Sequence, residues 1–274
     1  MLEQGRCSRV FIIGLDGVMG RCVKEAFTPN IDALISDGVK TYAAETVFPS
    51  KSYQAWGAMF HGVGPLKHEL GSSNPCPEEV PWPSFMKLMR QKYPGSRLAS
   101  FSCWEPINSI IIEQSCKCHS ISMPDPELAE AAAEYIRTHS PEMFFMQLDH
   151  TDSAGHTHGY GTTPYLEQIT VSDSLAGLII DAIKDAGVFD ESLIVVLSDH
   201  GGKDKSHGSN HPDCMRTFWG CRGRGVVQGG EVGEMNIMDT APVVAHALGL
   251  AIPAGWDGSI PTGIFTSSTA QLDA

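Results

Sequence analysis

The sequence predicts a single α/β domain, built on a mainly parallel sheet with helices on both faces. Three observations carry this: short apolar runs of strand length, helical patterns alternating with them, and no linker or internal repeat to divide the 274 residues. A chain of this length could fold as one large domain or two small ones, and the missing linker decides for one spanning 1–274.

The elements follow in order. Arg9–Gly14 reads as a buried strand ended by glycine. Thr28-Pro29-Asn30 opens a helix through Ile31, Leu34 and Ile35, with Thr28 as its cap, Pro29 at the first helical position and Gly38 as its stop. Val39–Val47 is a second strand. Pro49–Ser52 turns into a helix with Tyr53, Trp56, Met59 and Phe60 on one face. Pro, Gly and Asn crowd residues 62–84, an extended connection over the surface, and the stretch from about 62 to 125 is expected as a cap or surface extension within the domain. Phe85–Lys92 is helical, Arg97–Phe101 a strand, Pro126–His139 an Ala/Glu-rich helix and Met143–Leu148 a buried strand. Pro164–Ala186 is the longest helix, its apolar stripe formed by Leu166, Ile169, Leu175, Leu178, Ile179 and Ile183. Leu193–Leu197 and Thr217–Gly220 are further strands, and Asp239–Leu248 is a closing helix ended at Gly249.

Composition narrows the function. The net charge is −13 with no Lys/Arg cluster, which argues against duplex nucleic acid as a partner. A small anionic substrate is compatible, because bound cations reverse the local field of an acidic protein. No stretch approaches the roughly 20 apolar residues of a membrane span, and the amino terminus lacks a signal-peptide pattern. Eight irregularly spaced cysteines read as reduced thiols of a cytoplasmic protein. Cys116-Lys117-Cys118-His119 lacks the second half that a zinc ribbon needs.

In parallel sheets ligands bind beyond the carboxyl ends of the strands. The first strand is followed by Asp16. Met143–Leu148 leads into Asp149-His-Thr-Asp152-Ser-Ala-Gly-His156, and Leu193–Leu197 leads into Ser198-Asp199-His200-Gly-Gly, with His207 seven residues on. Singly, an Asp after a strand is often a helix cap and a His an ordinary polar residue. Together, three strands deliver three aspartates and three histidines to one edge. Mixed imidazole and carboxylate suit zinc, manganese or iron better than magnesium or calcium. Six such groups exceed one tetrahedral site and fit a pair of divalent ions, which can clamp both oxygens of a displacement at phosphorus. Pro49-Ser50-Lys51-Ser52 lies where a strand passes into a helix, whose free N–H groups favour an anion. Alone, either serine would be read as a cap; beside the metal set, one of the two is a nucleophile.

The order of an early Asp, FPSKS, DSAGH, SDHGG and HG resembles the alkaline phosphatase superfamily, and within it the nucleotide pyrophosphatase/phosphodiesterase group. The resemblance spans Val10 to His207 and implies a phosphodiesterase acting on a small phosphoester such as a nucleotide, through a covalent intermediate. It implies Ser52 as nucleophile, Asp16, Ser52, Asp199 and His200 on one metal, and Asp152, His156 and His207 on the other, with zinc the expected ion and manganese the alternative. It further implies Asn74 near the phosphate and Tyr53 against a nucleobase. Ser52 stands where that group usually carries threonine, and Gln54-Ala55 replaces its Pro-Asn. His158 and His211 are expected beside the ligands, and Lys51, Lys203 and Lys205 as solvated charge. A phosphomonoesterase of the same superfamily, or a non-catalytic metal- or nucleotide-binding protein, are the rival readings. No sulfatase motif (Cys or Ser, x-Pro-x-Arg) occurs, and the chain is too short for the inserted domain of a phosphoglycerate mutase.

Overall fold

A computed structural model describes residues 7–266. Eight strands form one sheet: β1 (Arg9–Leu15), β2 (Val39–Glu45), β3 (Leu98–Ser102), β4 (His119–Ile121), β5 (Met143–Leu148), β6 (Ser192–Leu197), β7 (Arg216–Arg222) and β8 (Gly230–Glu231). Their order is β4-β3-β5-β1-β6-β7-β2-β8. Neighbours from β4 to β6 pair in parallel; β7 runs antiparallel to both β6 and β2.

Alternation along β1 divides its side chains between two cores. Val10 and Ile12 join the helices Ser52–His61, Phe85–Lys92 and Thr240–Ala247. Phe11, Ile13 and Leu15 join Pro29–Ser36, Asp125–His139 and Thr163–Asp185 on the other face. Burial on both faces explains why β1, β5 and β6 read as mainly apolar runs, with Gln147 the polar exception inside β5.

Several local expectations are corrected. Thr28 holds the N-cap position, as expected, but its side chain makes no cap hydrogen bond: its hydroxyl donates to the Val23 carbonyl, while the Asp173 carboxylate accepts from the amides of Asn30 and Ile31. The helix ends at Ser36 with Asp37 as its C-cap, just before Gly38 as expected, whereas the strand from Val39 ends at Glu45, short of Val47. Leu178 faces solvent, and Tyr165, Ala176 and Ile180 fill the buried stripe in its place. The stretch 62–125 contains both exposed and core segments. Much of 71–83 is exposed, but Phe85, Met86 and Met89 enter the core, and β3 and β4 belong to the sheet.

His68 supports the helix that starts at Ser52. Its Nδ1 accepts from the Leu70 amide at 3.0 Å, so Nε2 carries the proton and faces the Gln54 carbonyl at 3.1 Å. The buried ring also fills the space beside Gly57, where a side chain would meet it. Burial, then nearby His61, lowers its pKa from 6.5 to about 4. Between these values the unfolded chain binds the extra proton, so His68 contributes fully to stability above pH 6.5 and the contribution is lost as pH falls towards 4. The loss is about 3 kcal/mol. Urea unfolding against pH should show it, and His68→Gln, which cannot titrate, should remove that share of the slope.

Candidate active site

Strands β5, β1 and β6 are adjacent, and each ends at the same edge of the sheet in an acidic turn. Asp16 follows β1 and Asp199 lies two residues beyond β6. Asp152 sits in the first turn of the helix His150–His158, which begins just after β5. His200 Nε2 lies 3.5 Å from Asp16 Oδ1 and 3.4 Å from Asp199 Oδ2. Both carboxylates and the imidazole are buried. His156 Nε2 is 3.2 Å from Asp152 Oδ2, and His207 Nε2 is 3.9 Å from Asp152 Oδ1. The His200 and His207 rings stack with centroids 3.9 Å apart, joining the two halves.

The histidines share one arrangement. Nδ1 of His200, His207 and His156 faces the carbonyl of Gly201, Ser50 and Lys205 respectively, each at 2.9 Å. Donation there leaves each Nε2 as a lone pair aimed at the carboxylates, the tautomer that metal-binding histidines adopt. On the acidic side, Asp16 Oδ1 and Asp199 Oδ2 are buried without a hydrogen-bond partner among the described residues. Burial first, then the charges of Asp199 and Asp152, raise the Asp16 carboxyl well above the usual range. Asp199 is raised by burial, against the opposing bond from the Gly17 amide. His207 is pushed down by burial and by His200. Crowded carboxylates, orphaned oxygens and unprotonated imidazole nitrogens together form a site that fits cations. Two metal-capable groups result, Asp16-Asp199-His200 and Asp152-His200-His207. His200 contributes to both, and His156 stands at the more exposed rim.

Ser52 begins its helix, and its Oγ lies 3.2 Å from His200 Nε2. The geometry separates the two serines. Ser50 Oγ donates to the Ser209 carbonyl and accepts from the Gly208 amide, holding the loop that carries His207. Neither serine caps the helix, whose N-cap is Lys51.

Tyr53 packs edge-on against Trp104 with centroids 4.6 Å apart, beside Ser52. Asn74 is not brought to the cluster by any hydrogen bond: it lies on an exposed turn with its amide donating to the Glu69 carbonyl. Lys51, Lys203, Lys205, His158 and His211 serve the scaffold or face solvent. His211 caps the helix Pro212–Met215, Lys205 donates to the Thr157 carbonyl, and His158 and Lys51 are exposed.

Three residues that sequence reasoning missed orient the carboxylates. Trp56 Nε1 and Gln147 Nε2 each donate to Asp16 Oδ2 at 2.9 Å. Tyr160 donates its hydroxyl to Asp152 Oδ1. The Tyr160 ring lies against Gly155 and Gly202, where any Cβ would overlap it, and Gly14 admits the Trp56 indole in the same way. The glycines of DSAGH and SDHGG were the available signal for a large neighbour. Gly202→Ala is expected to cost about 1–3 kcal/mol by overpacking. A double-mutant cycle with Tyr160→Ala, measured by urea unfolding, should return most of that loss.

With this geometry in place, the chain was compared with known proteins. The sequence profile described as type I phosphodiesterase/nucleotide pyrophosphatase matches residues 10–72 and 78–253. Ectonucleotide pyrophosphatase/phosphodiesterase family member 1 of Mus musculus is 29% identical over 94 residues, 33% of this chain and 10% of that protein. GPI ethanolamine phosphate transferase 1 of Chaetomium globosum is 28% identical over 152 residues, 47% of this chain and 16% of that protein. The chain thus aligns with only a small part of the length of these curated relatives. Among solved structures, murine ectonucleotide pyrophosphatase/phosphodiesterase 5, an inactive variant in complex with AMP, superposes with a TM-score of 0.76 at 13% identity, covering 92% of this chain and 97% of that one. A 2-O GAG sulfatase superposes at 0.77 and 15% identity, covering 92% and 73%. The chain therefore shares the fold of these structures.

Proposed function

The chain belongs to the type I phosphodiesterase/nucleotide pyrophosphatase family, and from that premise we propose that it hydrolyses a small phosphodiester, such as a nucleotide ester or pyrophosphate, through a covalent Ser52 intermediate. One observation carries this reading: Ser52 Oγ faces a cluster of partnerless carboxylate oxygens and unprotonated imidazole nitrogens.

Asp16, Asp199, His200 and Ser52 would hold one divalent cation, and Asp152, His156 and His207 the other. Zinc is preferred for the imidazole content and manganese is the alternative. Such a pair would neutralise the developing charge, lower the pKa of the serine hydroxyl and of water, and fix the attacking and leaving oxygens. The chain's own residues do the rest. Without an ion His200 Nε2 holds the Ser52 hydroxyl in place; when both are ligands, Ser52 Oγ attacks phosphorus as the bond to the leaving oxygen breaks, and the serine proton passes to solvent or the leaving oxygen. The resulting phosphodiester on Ser52 is cleaved by water, which returns the hydroxyl. Tyr160, Trp56 and Gln147 keep Asp152 and Asp16 in place through both steps. Tyr53, half-buried beside Ser52 and braced by Trp104, is suited to stack on a nucleobase. The superposed murine protein is in complex with AMP, which supports a nucleotide as the kind of substrate.

The test is a hydrolysis panel of p-nitrophenyl phosphate, bis-p-nitrophenyl phosphate and a nucleotide p-nitrophenyl ester, with zinc or manganese, before and after chelation. The nucleotide ester should be cleaved fastest and the monoester slowest, and chelation should abolish all three until metal is restored. Rates untouched by exhaustive chelation would refute the metal-assisted reading, and a monoester preference would move the chain to the phosphatase class.

A further inference from the structure

Beside the principal cluster, three ligand-type side chains from separate elements converge at the same edge of the sheet. Cys103 follows β3, Asp125 begins the helix Asp125–His139, and His150 begins the helix His150–His158. One ligand atom of each lies within 4.8 Å of the other two. Asp125 is fully buried, and its two oxygens accept from the amides of Asp149 at 2.9 Å and His150 at 2.8 Å. The carboxylate also takes the Cys103 thiol as a hydrogen-bond partner, whose proton an ion would displace. His150 Nδ1 stands 3.8 Å from Asp125 Oδ2. That is too long for a hydrogen bond. It is close to the spacing of two donors on one tetrahedral ion, about 3.3–3.7 Å for bonds of about 2.0–2.3 Å.

The local field points the same way. Burial, then Asp125 and Asp149, push the Cys103 thiol up to about 12. A cation among these groups reverses that logic and takes the sulfur as thiolate. The group His61-Cys76-Glu113 has similar residue types but differs in one respect. Both His61 nitrogens face carbonyls there, of Trp82 at 3.1 Å and Ile111 at 2.9 Å, so the imidazole is already engaged on both sides.

We propose that Cys103, Asp125 and His150 form a separate, sulfur-containing site for a thiophilic divalent ion of the zinc class. Binding forms one metal–sulfur bond, and the thiol proton leaves to solvent. The half-exposed His150 leaves the fourth position open to water. An ion there ties the end of β3 to the starts of two helices. It also lies one residue from Trp104, the aromatic that braces Tyr53.

The experiment is a cobalt(II) titration of the full chain, read in the near ultraviolet and followed by zinc competition. The principal cluster offers only nitrogen and oxygen, so a thiolate-to-cobalt charge-transfer band reports sulfur ligation alone. Wild type should show the band, zinc should displace it, Cys103→Ser should lose it, and His150→Ala should weaken cobalt affinity by at least about tenfold. A wild-type chain without the band at saturating cobalt, or a band that persists in Cys103→Ser, overturns the proposal. The site does not depend on the two-ion reading of the principal cluster. Hydrolysis without the band would count against this site alone, and the band without hydrolysis would count against the phosphodiesterase reading alone.

Discussion

Ser52→Ala is expected to lower diester hydrolysis by more than about a thousandfold while leaving the melting curve close to that of wild type. The two effects separate because the Ser52 hydroxyl has one partner, His200 Nε2, and supports no part of the backbone. Ser50→Ala should do the reverse. Its hydroxyl is buried between the Ser209 carbonyl and the Gly208 amide, and removing it strands both groups at a cost of about 1–3 kcal/mol. Activity should fall only partly, because the Ser50 carbonyl that positions His207 remains. Paired measurements of kcat/KM on bis-p-nitrophenyl phosphate and of thermal unfolding check the crossing pattern. Mass spectrometry of a rapidly quenched reaction should find the adduct on the peptide containing Ser52. A fully active Ser52→Ala enzyme would exclude Ser52 as the nucleophile.

The legible part of the site was the part written at strand ends. Each of β1, β5 and β6 stops a few residues before an aspartate that enters the cluster, so Asp16, Asp152, Asp199 and His200 could be found from local sequence. Their adjacency could not, because β1 ends at Leu15 and its two neighbours, β5 and β6, begin only at Met143 and Ser192. Residues that act from a distance left no periodic trace. Trp56 and Gln147 read as core, and Asp173 caps a helix some 140 residues earlier in the chain, where Thr28 looked sufficient. Strands β4 and β8 have three and two residues, too few for any alternation to show. Leu178 fitted the helical stripe by spacing, yet only the docking of that helix decides which flank of a stripe is covered.

Asp16→Asn is expected to make the metal-free protein more stable and the enzyme at least about a hundredfold slower. Asp16 Oδ1 and Asp199 Oδ2 are both buried and partnerless, and Asp152 adds a third carboxylate to the same space. Without a cation this arrangement concentrates like charge away from water, which costs more than neutral packing would. The asparagine carbonyl can keep the bonds from Trp56 and Gln147, and its amide then enters the position of Oδ1 with a proton to donate to Asp199. Replacing an uncompensated buried charge with a hydrogen bond is worth about 1–3 kcal/mol, or a few degrees in the melting midpoint of a domain this size. Zinc should reverse the order. Wild type gains stability in proportion to the logarithm of ion concentration over its dissociation constant, and the variant, short of a ligand, gains less. Melting curves of both proteins across a zinc series should therefore cross. Parallel curves would mean that Asp16 serves the fold and does not hold an ion, whereas a crossing would show that the chain sacrifices stability here to keep a cation site ready.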